Sequence, residues 1–251
     1  MIVTPAPREP RLAPTLQGEL DLAARCAPGP RIIVGIDEVG RGALAGPVAV
    51  GACAVEVTDG RVEPLPDGVR DSKALSARRR EELVDPIRES ARSTAVGWAE
   101  AAEIDQLGIM RALTIAAVRA LDGLEVRADA IILDGSVDVL TAELSRRTGP
   151  CPQVQLRVKA DAHCASVAAA SILAKVARDA RMAELSTAAP AYGWAGNKGY
   201  GSAAHRAAIR QHGPDAQHRR SWNLGAPAQE PVAAGVLWEG QWSPQTEKER
   251  R

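Results

Sequence analysis

Three short apolar runs rich in β-branched residues each end at or just before an acid, and that pattern most restricts the fold. Arg31–Asp37 (RIIVGID) leads directly into Glu38, Ala130–Asp134 (AIILD) stops on Asp134, and Val154–Lys159 (VQLRVK) stops two residues before Asp161. Runs of this length and composition read as buried strands. In an open α/β sheet, neighbouring parallel strands present their C-terminal ends along one rim, where ligand crevices form. The spacing therefore places several carboxylates on one edge of a sheet.

The rest of the pattern fits an α/β chain. Val48–Val57 and Thr94–Glu100 are two further strand candidates. Apolar residues at helical spacing run from Glu103 to Leu121, the Ala-rich stretch Ala162–Leu185 is helical and stops before Pro190, and Ser202–Gln211 reads as a shorter helix. Early strands joined by short turns, then strands separated by helices, predict a mixed five-stranded sheet flanked by helices, with a C-terminal helical region. Residues 31–225 form the expected domain. Residues 1–30, punctuated by proline, read as a flexible segment. Residues 226–251, which carry Trp238, Trp242 and a charged end, read as a disordered tail without a specified partner.

Composition narrows the class. Hydrophobic residues make up 45% and aromatics only 3%, with no Phe, so the core must be built from Ala, Val, Leu and Ile. No apolar run approaches the roughly 20 residues that span a bilayer, and the N-terminus lacks the apolar stretch of a signal peptide. Cys26, Cys53, Cys151 and Cys164 have no paired spacing and read as reduced thiols of a cytoplasmic protein. Formal net charge is zero, yet Lys159–Trp222 holds nine Lys and Arg against four Asp and Glu. That local excess suits either a solvated face or a phosphate-binding surface.

Taken singly, each acid has a plain structural explanation. Asp134-Gly135 is a turn signal, Asp161 precedes a helix as an N-cap would, and Asp37-Glu38 could be a polar strand end. Together they repel unless something positive lies among them. Hard divalent cations with oxygen ligands, Mg²⁺ or Mn²⁺, are the natural counter-charge. His163 beside Cys164 has no second His or Cys at ligand spacing, so His163, His205, His212 and His218 read as local hydrogen-bonding residues.

These residues also carry a family resemblance. Gly35-Ile36-Asp37-Glu38-Val39-Gly40-Arg41-Gly42 with Ala45-Gly46-Pro47-Val48, Asp71-Ser72-Lys73 with Leu75-Ser76, and Leu133-Asp134-Gly135 resemble the motifs of ribonuclease HII. Lys159-Ala160-Asp161 with the helix Ala168–Val176, Lys198-Gly199-Tyr200-Gly201, and His212-Gly213-Pro214 through Ser221 continue the series in order. Ala160 stands where the motif has glycine. The related ribonuclease HIII usually carries a large extra N-terminal domain and lacks the Gly-Arg-Gly triplet, which favours the HII branch.

The resemblance implies an RNase H-like fold and an endonuclease that cuts the RNA strand of RNA–DNA hybrids and the 5′ side of ribonucleotides embedded in duplex DNA. It implies Asp37, Glu38, Asp134 and Asp161 as catalytic, metal-binding carboxylates holding two divalent ions (Mn²⁺ or Mg²⁺), and products with 3′-hydroxyl and 5′-phosphate ends. Gly40, Arg41 and Gly42 would read the ribose 2′-hydroxyl, which distinguishes RNA from DNA. Tyr200 would pack on the deoxyribose that follows. Ser72, Lys73, Lys198 and Arg41 are candidate phosphate contacts, with Arg219 and Arg220 weaker ones and Arg178-Asp179 a helix-surface pair. The expected partner is the hybrid or ribonucleotide-containing duplex, met by a monomer with no membrane contact. Two other classes stay open: an RNase H-like nuclease or strand-transfer enzyme acting on DNA alone, and a non-catalytic nucleic-acid-binding module.

Overall fold

The computed structural model describes residues 13–225, so the expected C-terminal tail lies outside the described residues. β1 (Arg31–Val39), β2 (Val48–Thr58), β4 (Ser93–Ala99), β5 (Ala130–Asp134) and β6 (Gln153–Arg157) are the five expected strands, and a two-residue β3 (Arg61–Val62) makes a sixth. The path through the sheet is β3-β2-β1-β5-β6, with β4 also paired to β2. β1 runs antiparallel to β2 and parallel to β5, and β5 runs parallel to β6. The sheet is therefore mixed, and its parallel half brings the C-terminal ends of β1, β5 and β6 to one rim.

Side-chain alternation along β1 divides the core. Val34 and Ile36 face a cluster with Ile104, Leu113 and Ala117 from α3 (Ala101–Leu107) and α4 (Ile109–Asp122). Ile33 faces the other side, with Leu22 of α1 (Gln17–Ala23) and Val167 of α6 (Ala165–Ala188). α2 (Ala77–Ser90) joins α6 on that second side through Leu83 and Ile87. With no Phe, close packing is achieved by small residues instead. A Cβ on Gly51 of β2 would lie 2.1 Å from the Ala170 carbonyl oxygen, so α6 rests almost directly on the strand backbone.

Two expectations are corrected. The helix foreseen over Glu103–Leu121 is two helices, because Gly108 between them takes φ +78° and breaks the helical path. The segment before residue 31 is not loose throughout. From Thr15 it is bound to the domain: Thr15 bridges Cys164 in parallel register, Leu22 is fully buried, and Glu19 of α1 accepts hydrogen bonds from the backbone N–H and hydroxyl of Ser166. The other helices hold with shifted bounds: α6 as given, and α8 at Ala203–His212, after the short α5 (Thr141–Leu144) and α7 (Trp194–Asn197). Among the described residues no helix is long and apolar enough to cross a membrane, and all four cysteines are free.

The close approach at Gly51 gives a direct test. Gly51→Ala should destabilise the protein by about 1–3 kcal/mol through overpacking, read as a lower urea midpoint with an unchanged slope. An unaltered midpoint would mean that α6 is not held against β2 as described.

Candidate active site

The parallel register puts the acids side by side. Ile36 of β1 pairs with Leu133 of β5, so the next residues on the two strands are Asp37 and Asp134. Asp161 lies in a 3-10 turn (Ala160–Ala162) after β6, and this turn is tied to β5 by the Ala160 N–H donating to Asp134 Oδ1 at 2.7 Å. Lys159, just before it, takes the left-handed conformation with φ +58°, which swings the chain from the strand into the turn. Ala160 itself has no positive φ, so alanine fits where the motif has glycine. Glu38 points to the opposite face of β1 from Asp37, toward the Arg41 guanidinium 3.7 Å away.

The carboxylates are electrostatically strained. Asp37 is 5% exposed. Burial, joined by the charges of Glu38, Asp134 and Asp161, pushes its pKa up to about 7, against a lowering contribution from the Ser171 hydroxyl. Glu38 and Asp161 are also raised, mainly by burial, with Asp134 adding repulsion in both cases. Burial pulls the Lys73 ammonium down, but Asp37, Asp161, Asp71 and Asp134 outweigh it and hold its pKa above the ordinary value. Asp134 borders two openings. One is a cleft of about 800 Å³ shared with Asp71, Lys73, Lys159 and Asp161, and the other a smaller pocket of about 170 Å³ shared with Glu38 and Arg41.

Among the described residues no three His, Cys, Asp or Glu side chains are already gathered into a ready chelate. The acids neighbour one another without converging. As a donor set they are all oxygen and dense in negative charge, and in Asp37, Glu38 and Asp161 burial, with the neighbouring acids, disfavours the bare charge. That chemistry fits hard divalent cations.

The candidate substrate contacts divide. Arg41 and Gly42 are exposed beside the acids, whereas Gly40 is buried. A Cβ on Gly40, at φ +88°, would fall 1.9 Å from Arg178 Nε, while one on Gly42 would meet nothing within 4 Å. Gly40 is thus required by packing, and Gly42 leaves open backbone for a ligand to approach. Lys73 and Tyr200 are exposed, Tyr200 to 39%. Lys198 is half-buried, with its ammonium 3.4 Å from the Asp179 carbonyl. Ser72 is 2% exposed and its hydroxyl lies 2.9 Å from that of Ser171, so its side chain turns inward to the neighbour of Asp37.

Two arginines also differ from expectation. Arg178 is not on the helix surface but fully buried, donating to the carbonyls of Pro47, Lys198 and Ala45. Arg219 is equally buried and donates to the carbonyls of Gly40, Arg41 and Gly46. Each fixes the loop that follows β1, and Arg178 also lies 5.5 Å from the Tyr200 ring centroid. A basic residue inside a helical stretch gives no sequence sign of such a role. Arg220 stays exposed, its backbone N–H on Asp105.

A mixed sheet with helices on both faces and an acidic rim at the ends of its parallel strands defines an RNase H-like catalytic domain. The family model for ribonuclease HII matches residues 34–224. A ribonuclease HII of Streptomyces avermitilis is 45% identical over 81% of this chain and 82% of its own length, and that of Streptomyces coelicolor is 47% identical over the same shares. The chain belongs to the ribonuclease HII family, endoribonucleases that act on RNA–DNA hybrids. Among solved structures, the ribonuclease H2 of Pyrococcus horikoshii superposes with a TM-score of 0.64 at 29% identity, covering 77% of this chain and 94% of its own. A ribonuclease HII of Archaeoglobus fulgidus, solved in complex with PCNA, gives 0.61 at 29% identity over 80% and 98%.

The strained carboxylates carry a pH signature. Asp37's folded-state pKa is raised, so its contribution favours folding at acid pH and is lost as pH climbs from its ordinary 3.8 through about 7. Asp37→Asn should therefore melt a few degrees higher than the parent at pH 8 without divalent ions, and differ little at pH 4. Equal melting temperatures at pH 8 would contradict the crowding described.

Proposed function

We propose that this chain cuts on the 5′ side of ribonucleotides embedded in duplex DNA as well as within the RNA strand of hybrids, leaving 3′-hydroxyl and 5′-phosphate ends. The observation that carries this reading is the parallel β1–β5 register, which brings Asp37 next to Asp134 on the rim that also bears Asp161. Asp37, Glu38, Asp134 and Asp161 would hold two Mg²⁺ or Mn²⁺ ions, which when bound supply an activated water and stabilise charge on the departing oxygen. The remaining work falls to the chain's own side chains and backbone.

Lys73, already surrounded by acids, would meet the scissile phosphate's negative oxygens and keep the approaching strand from being repelled. Arg41 and Lys198 would grip flanking phosphates. The open backbone at Gly42, with Gly40 and Arg41 held from behind by Arg219, would read the ribose 2′-hydroxyl through amide and carbonyl groups. Tyr200 would pack on the next deoxyribose, which lacks the 2′-hydroxyl and so presents an apolar face. Such an enzyme serves ribonucleotide and primer removal, acting as a cytoplasmic monomer.

The test uses a duplex with one ribonucleotide, with Mg²⁺ or Mn²⁺. Cleavage 5′ to the ribonucleotide is expected, falling by at least roughly 100-fold in Asp134→Asn and absent on an all-DNA duplex. Equal cutting of all-DNA would favour a DNA nuclease. Tight binding with no cleavage under either metal would favour a binding module.

A further inference from the structure

Behind Tyr200 lies a buried cluster outside the acidic rim. Trp194 and His205 are fully buried and His218 is 1% exposed. Trp194 Nε1 is 3.0 Å from His205 Nε2, the two Nε2 atoms of His205 and His218 are 3.1 Å apart, His205 Nδ1 is 2.9 Å from the Tyr200 carbonyl oxygen, and the Asp215 N–H is 2.9 Å from His218 Nδ1.

The end groups fix every proton in this chain. The Tyr200 carbonyl can only accept, so His205 carries its hydrogen on Nδ1. The Trp194 indole can only donate, so His205 Nε2 is bare. The Asp215 N–H can only donate, so His218 Nδ1 is bare, and the one arrangement left has His218 Nε2–H and the Trp194 N–H sharing the single lone pair of His205 Nε2. A proton added to either ring would set a donor against a donor. Burial first, and for His218 also its neighbour His205, lowers both pKa values, with His218 down to about 4. Among the surrounding charges Arg206 and Arg220 act in the same direction, and Asp215 opposes them.

The pair also joins two loops. Through its ring His205 holds the Tyr200 carbonyl, which the Ser202 N–H binds as well at 2.8 Å. Through its backbone His218 bridges Ala45, flanked by Gly46 N–H to the Gln217 carbonyl and Arg219 N–H to the Leu44 carbonyl. The loop after β1 and the loop carrying Tyr200 already touch, with the Leu44 and Ala45 N–H groups on the Gly199 carbonyl and Arg178 donating to Pro47, Ala45 and Lys198, and the imidazole pair adds the link that reaches the Tyr200 carbonyl itself.

We propose that His205 and His218 are positioning residues for substrate recognition, a fixed neutral pair that sets Tyr200 against the Gly40–Gly42 loop. The inference rests on Tyr200 being a substrate contact. Steady-state kinetics on the single-ribonucleotide duplex test it. His205→Ala should raise KM roughly five- to tenfold, the loss of about one buried hydrogen bond, with kcat within about twofold of the parent. His205→Asn, whose amide can stand where Nδ1–H stands, should recover most of that loss.

Because His205 acts through Tyr200, the double variant His205→Ala/Tyr200→Ala should be no worse than Tyr200→Ala alone. Multiplying effects, or a loss in kcat with KM unchanged, would overturn the proposal. If Tyr200→Ala itself leaves KM unchanged, the Tyr200 contact is wrong and the inference falls with it. ¹⁵N NMR of the unaltered protein gives a check independent of any variant's folding: two neutral rings from pH 5 to 8, Nδ1–H on His205 and Nε2–H on His218. A ring that titrates in that range, or the opposite tautomer, would overturn it.

Discussion

Repulsion among four carboxylates on one sheet rim is the constraint on which the rest of this structure depends. It follows from register: with Ile36 opposite Leu133, the strands deliver Asp37 and Asp134 as neighbours, and the Ala160 N–H to Asp134 bond draws the turn bearing Asp161 to the same place. Burial then denies the acids the solvent that would screen them, and Asp37 is pushed up to about 7. A site of this kind is costly to the fold unless a cation enters it. Lys73 supplies part of the compensation, and divalent ions would supply the rest.

The surrounding architecture holds that strained rim in place with unusually small contacts. α6 lies on β2 at the distance of backbone on backbone, which Gly51 and the alanines of α6 permit and larger side chains would forbid. Midway along the same helix, buried Arg178 satisfies carbonyls of the loop after β1 and of the loop before Tyr200, and Arg219 does the same for the loop after β1. Buried guanidiniums that donate to carbonyls from fixed positions act as rigid braces. Recognition of a 2′-hydroxyl needs such stiffness, because a backbone that can yield by an ångström no longer distinguishes ribose from deoxyribose.

Much of this was legible in the sequence for definite reasons. The β-branched runs ending in Asp37 and Asp134, and the one stopping just before Asp161, point to strands and rim together, because period, length and acid position all agree. What escaped depended on tertiary contacts. Gly108 inside an apolar periodic stretch looks like a tolerated helix residue until its φ is known. The proline-rich start hid a helix whose Leu22 and Glu19 make sense only against α6. Ser72 read as a phosphate contact because nothing in a DSK segment shows that its hydroxyl turns inward to Ser171, and Arg178 read as surface because charge usually is.

The most direct measurement is calorimetry of Mn²⁺ binding near pH 7 in buffers of differing ionisation enthalpy, which counts the protons released. If the rim is crowded as described, Asp37 is about half protonated there, and metal entry should expel a substantial fraction of a proton, less at pH 8.5 and less in Asp37→Asn. Tight binding with no proton release at pH 7 would contradict the claim that burying crowded carboxylates organises this site.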